Sequence, residues 1–228
     1  ALGGAVGGSL FFDHGYLGAS LQSTRQLYGS PAEDEVTLKM RSSRFQLEGE
    51  GRNLNALGGW VQAVSGHVVQ HDYRHEELDA GVVGTTFKTK GREAKLQTKL
   101  RSFKLGSDAK SPQLETILGL SNERVDFVAD GTEAFVPSTE TKTQALYALQ
   151  ELNAPWGKLS VGLRREAAQV DSLGLATNAA FIPAQRRLAG NSLALGAVLP
   201  VGTGLSAAAN WARHFGHSYA NTQPWSLC

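Results

Sequence analysis

Segments of about ten residues in which apolar and polar side chains alternate follow one another along this chain. From Glu93 to Ser102 one face carries Ala94, Leu96, Thr98 and Leu100, and the other Glu93, Lys95, Gln97, Lys99 and Arg101. Leu114, Leu118 and Leu120 repeat the phase, as do Leu159, Val161 and Leu163, then Leu193, Leu195, Ala197 and Leu199, then Leu205, Ala207, Ala209 and Trp211. Nearer the start, Leu17, Ala19 and Leu21, then Phe45, Leu47 and Gly49, alternate with polar partners. Period two over such lengths predicts strands wetted on one face only. The chain is therefore expected to be all-β, an antiparallel up-and-down meander of ten or eleven strands.

The breaks between these segments fall into two classes. Asp13 to Gly15, Asn53 to Gly59, Leu105 to Ser111, Asn153 to Gly157 and Pro200 to Gly204 are short and rich in turn residues. Tyr28 to Glu35, Asp72 to Gly81, Asp126 to Thr141 and Asp171 to Gly190 are longer and more polar. Short and long connections alternate, as in a membrane barrel with turns on one side and loops on the other. The strands are long for a soluble sandwich, whose core would also want bulkier side chains than this Leu, Ala, Val and Gly face supplies. A soluble meander with a one-sided core is the competing reading. Gly81 to Lys90 is expected to form a long strand, with Gly84 allowing a bulge where it enters the sheet.

Composition narrows the function. The 41% hydrophobic content suits a barrel, in which only alternate side chains meet lipid. No apolar run reaches the roughly 18 residues that a membrane-spanning helix needs. A formal charge of +1 gives no signature of nucleic-acid binding. The single cysteine, Cys228, excludes an internal disulfide and a cysteine metal cluster. No Gly-x-Ser-x-Gly elbow supports a hydrolase, and the glycines from Gly3 to Gly8 lack the Lys-Ser/Thr of a phosphate loop. No catalytic residue and no resident cofactor are expected. Trp60, Trp156 and Phe103 fall near short turns, where an aromatic girdle would lie.

His67, His71 and His75 share one face of a strand, opposite Val64 and Val68. Neutral imidazole suits Zn²⁺, but four residues of strand span roughly 13 Å, so His67 and His71 are too far apart for one ion. His71 and His75 are expected to converge if the chain turns after Asp72, with Glu76, Glu77 or Asp79 adding oxygen ligands. Otherwise the histidines are ordinary polar residues at a wet rim.

Leu17-Gly-Ala-Ser20, Tyr28-Gly-Ser-Pro31, Asp72-Tyr-Arg-His-Glu76, Gly84-Thr-Thr-Phe-Lys88 and Glu133-Ala-Phe-Val-Pro137 occur in this order, followed by Leu146-Tyr-Ala-Leu-Gln-Glu-Leu152. Together they resemble the barrel of TonB-dependent outer-membrane receptors, most closely the zinc-uptake branch. The resemblance covers Gly15 to Ala209. It implies part of a barrel of about 22 strands, set in outer-membrane lipid of a bacterial cell and closed by a plug domain that contacts TonB. It also implies uptake of a metal ion, zinc-like, or a metal chelate. Neither a plug nor a TonB-contacting segment occurs in these residues, and only about half of the strands do. The partial barrel is expected over 1–211. Residues 212–228 lack the alternation and read as a truncated or frame-shifted tail. The competing functions are an outer-membrane lipid hydrolase, which needs a Ser–His pair at the outer rim, and a passive pore.

Overall fold

The computed structural model describes residues 1–30, 35–131, 134–175 and 181–220, and the side chains of all of these except 55–57 and 217–220. Pro31, Glu133 and Cys228, used in the sequence reading, lie outside the described residues. Eleven strands form one antiparallel sheet: β1 (Leu2–Phe12), β2 (Gly15–Gly29), β3 (Val36–Asn55), β4 (Val61–Asp79), β5 (Val82–Leu100), β6 (Phe103–Lys104), β7 (Gln113–Gly131), β8 (Thr139–Ala154), β9 (Gly157–Ser172), β10 (Ala184–Gly202) and β11 (Leu205–Ala220). Every long strand pairs with its neighbours in sequence, and the two-residue β6 pairs on β7 beside that path. A single helical turn, α1 (Ala56–Gly59), bridges β3 and β4. The all-β meander is as the alternation predicts.

Two segments differ most from expectation, and β7 and β10 also extend into the expected loops Asp126 to Thr141 and Asp171 to Gly190. β4 runs through Asp79 and closes on β5 in a tight turn at Ala80 and Gly81, both in the left-handed region with φ of 45° and 85°. Asp72 to Asp79 is therefore strand rather than loop, paired with β3 and β5 although both of its faces are largely polar. β11 likewise continues to Ala220, paired with β10, so the segment after Trp211 is not structurally separate up to that point. The bulge at Gly84 is present: Glu77 pairs with Thr85 and Leu78 with Val83, leaving Gly84 as the extra residue.

The pairing register sorts side chains onto two faces. Leu17, Ala19 and Leu21 stand in register with Gly49, Leu47 and Phe45, and the same face carries Val68, Leu96, Leu120, Leu146, Leu163, Leu195 and Trp211. That apolar face is open to solvent, with Leu146 64% and Leu163 56% exposed. Across the apolar stretch the opposite face holds charged and amide side chains, most of them half-buried. Among the described residues only Val61, Val69, Ala129 and Ala145 form a buried apolar set. The accessible surface of 15669 Å² far exceeds the roughly 10,000 Å² of a compact soluble protein of this mass. The sheet is inside-out relative to a soluble fold.

The apolar stretch also drifts along the sheet. Its middle on β2, Ala19, lies in the register row Leu47, Val68, Ala94, Asn122. Its middle on β11, Ala209, lies in the row Ala197, Leu159, Leu152, Leu114. On β7 these rows are eight residues apart, from Leu114 to Asn122, accumulated over eight inter-strand steps. With about 3.3 Å per residue and about 4.8 Å between strands, one straight belt crosses strands tilted about 35° from its normal.

Candidate functional site

The three predicted histidines stand on the polar face of β4. His67 pairs in register with Glu48 and Lys95, His71 with Arg44 and Gly91, and His75 with Met40 and Phe87. They keep their four-residue spacing, because β4 does not turn after Asp72. His71 and His75 thus do not converge. Glu76, at an even position, points to the opposite face, where Lys39 Nζ lies 3.2 Å away. Glu77 shares the histidine face, and Asp79 ends the strand. Among the described residues no three His, Cys, Asp or Glu side chains close on a common metal position.

Each imidazole has a different environment. His67 Nε2 is 3.0 Å from Glu93 Oε1, which makes its protonated form an ion pair. His71 Nε2 is 3.0 Å from Ser42 Oγ across β3. His75 is packed among rings, 4.8 Å from Phe87 and 6.1 Å from Tyr73, with Phe127 continuing the stack 6.2 Å beyond Phe87. Its Nδ1 meets the Tyr73 hydroxyl at 3.4 Å, while its Nε2 is buried without a hydrogen bond. The nearest carboxylate oxygen, Glu77 Oε1, is 3.5 Å from Nε2 but lacks hydrogen-bond geometry. A buried polar atom left without a partner costs about 1–3 kcal/mol, so His75 gains by taking a ligand there.

Ser42, Arg44, His71, Glu93 and Glu123 line a recess of about 410 Å³ on this face, with Gly91 in its floor. Glu93 and Glu123 are direct cross-strand partners. Two carboxylates so placed repel, and they favour a cation between them. Sequence reasoning singled out neither glutamate, nor Ser42, Tyr73, Phe87 or Phe127. All six were findable in principle, since each sits on the polar-face phase once the register of β3, β5 and β7 is known.

Ser42 with His71, and Ser192 with His214 at 2.9 Å, are the serine–histidine pairs among the described residues. Among the described residues neither histidine has a carboxylate on its second nitrogen, as a Ser–His–acid relay requires. On the other face, and beyond the apolar belt, the hydrogen bond from Lys39 and then the charge of Arg74 hold the Glu76 carboxyl below its ordinary pKa. Trp60 and Phe103 stack 5.7 Å apart at the short-turn end, and Trp156 sits in the β8–β9 turn. No known protein family and no characterised protein matches the chain.

Proposed function

We propose that the chain is part of a transmembrane β-barrel of the bacterial outer membrane, whose polar face lines the lumen of an importer for a metal ion or metal chelate driven by TonB. The observation that carries the barrel is the belt: an exposed apolar face that becomes straight when the strands tilt about 35°, within reach of the 35–45° of outer-membrane barrels. A soluble sheet gains nothing from collecting its apolar residues into a belt oblique to its strands. A bilayer imposes that line. The ends of the sheet, β1 and β11, pair on one side only, and unpaired backbone in hydrocarbon is costly. Further strands therefore complete the wall.

The importer reading adds the resemblance of the motifs to the zinc-uptake branch and the chemistry of the wall. Imidazoles recur every four residues on β4, flanked by Glu93, Glu123 and Glu77, in a row suited to successive weak contacts with a divalent cation or its chelate. One experiment separates the readings. Zinc accumulation is measured in cells expressing the receptor that carries this barrel, with and without functional TonB, and with His67, His71 and His75 all changed to Ala. The proposal expects uptake that needs TonB and falls severalfold in the triple variant. Uptake indifferent to TonB makes the protein a pore, and uptake indifferent to the histidines removes them from the path.

A further inference from the structure

The charge of the chain is unevenly distributed between the two faces of β2 to β5. Beyond the apolar belt, on the long-loop side, the outward positions carry Arg25, Lys39, Arg41, Arg74, Lys88, Lys90 and Arg92 against Asp72 and Glu76. That is seven cations to two anions, in a chain whose formal charge is only +1. The polar face of the same four strands carries no such excess, with Arg44, Arg52, Lys95 and Lys99 against Glu48, Glu50, Glu77, Asp79 and Glu93.

Four of the outward cations occupy one register row. Arg25 pairs with Arg41, Arg41 with Arg74, and Arg74 with Lys88. Like charges directly opposite one another destabilise a sheet. Glu76 relieves Lys39 and Arg74. Among the described residues Arg25, Arg41 and Lys88 have no ion-pair partner. Arg25, Lys39, Arg41 and Arg74 also surround a recess of about 480 Å³ whose remaining lining includes Leu2, Leu27 and one carboxylate, Glu76, which is paired with Lys39 and Arg74. Cations above and leucines beside them match an amphiphile with an anionic head.

Position selects the source of that anion. Arg25 and Arg41 each lie six residues from the belt's middle, at Ala19 and Leu47. Six residues on a strand tilted about 35° rise about 16 Å, just beyond half of a lipid-facing band about 25 Å tall. We infer that this row is a docking surface for anionic phosphate headgroups of membrane lipid, seated in the recess beside Arg25 and Arg41. The inference rests on the membrane-barrel reading and adds a lipid-selective site to it.

The test uses the full chain and vesicles of phosphatidylcholine, with or without one-third phosphatidylglycerol, at low salt. Partitioning is measured for the parent, for Arg25→Gln/Arg41→Gln/Arg74→Gln/Lys88→Gln, and for the polar-face control Arg44→Gln/Lys95→Gln/Lys99→Gln. Phosphatidylglycerol should strengthen association of the parent and the control by about tenfold or more, as cations beside an anionic surface do. The row variant should lose that gain and still bind phosphatidylcholine. In neutral micelles it should unfold no earlier than the parent, since mutual repulsion has been removed. A milder pair, Arg25→Gln/Arg41→Gln, should lose part of the gain. A parent that binds neither vesicle sinks the barrel reading itself. A row variant that keeps the full phosphatidylglycerol gain overturns only the lipid site. So does a gain abolished by millimolar inorganic phosphate at constant ionic strength, which assigns the row to a free anion.

Discussion

The centre of the sheet and its edges are built from the same alternating pattern but are packed very differently. In β5 and β7 the chain is tightest: Thr85 is 2% exposed, Thr86 and Ala129 are buried, and Phe87 stacks between His75 and Phe127. In β1 every residue is exposed, and so is each described side chain of β11. The difference arises from neighbours. A central strand buries its backbone and side chains against strands on both sides, and the polar face fits ring against glycine. Tyr147 of β8 crosses Gly119 of β7 to donate a 2.8 Å hydrogen bond to Gln97 of β5. An edge strand has one neighbour and an open row of backbone groups. The stability of this wall comes from lateral pairing and polar-face fit.

Glycine substitutions should separate the two regions most strongly. Gly131, opposite Thr85, has φ of 143°, and a Cβ there meets the Gly84 carbonyl oxygen at 2.1 Å. Gly131→Val should cost about 3 kcal/mol through combined overpacking and backbone strain. Gly4→Val in β1 places its Cβ in open space and should change stability by less than about 0.5 kcal/mol. Urea unfolding in detergent reads both. Equal losses would erase the distinction between centre and edge.

Next in size is the ring crossing. Gly119→Val puts a Cβ 2.1 Å from Tyr147 Cζ and should cost about 2 kcal/mol as the ring is displaced and its hydrogen bond lost. Combining it with Tyr147→Ala should recover part of that loss in a double-mutant cycle, because the clash is removed. Strict additivity would mean that the crossing is not what the glycine accommodates. His75→Phe removes the unpartnered Nε2 while keeping the ring stack, and should stabilise the protein by about 1 kcal/mol. The same variant should lower metal uptake if Nε2 takes a ligand.

The smallest effect expected is at Glu76. Its carboxyl is held below its ordinary pKa by Lys39 and Arg74, so its contribution is full above the unfolded value of about 4.3 and is lost as pH falls through the lowered folded value. Glu76→Gln should therefore cost under about 1 kcal/mol at pH 7. It should cost nothing once the pH is low enough to protonate the parent. A difference that widens on acidification would reverse the sign.

The sequence made the strands legible because period two survives wherever one face differs from the other, as from Glu93 to Leu100. It also located the Gly84 bulge. It misread Asp72 to Gly81, where the outward positions Asp72, Arg74 and Glu76 turn polar. A strand that passes beyond the apolar belt looks like loop by composition, although its pairing continues. The candidate site was only partly legible for a related reason. His67, His71 and His75 lie on one strand and can be read from spacing. Glu93, Glu123, Ser42 and Phe87 join them only through cross-strand register, which no local pattern contains.

The central claim is that the exposed apolar face is the lipid-facing surface of a barrel. Leu96 and Gln97 are adjacent in β5, on opposite faces at nearly the same depth, so one substitution at each isolates the face. Insertion of the full chain into bilayers is measured for Leu96→Arg and Gln97→Arg. Leu96→Arg should cost about 2–4 kcal/mol and largely block insertion. Gln97→Arg should lose only the bond from Tyr147, about 1 kcal/mol, and insert. Equal insertion of the two variants, or a block at Gln97 alone, would contradict the account.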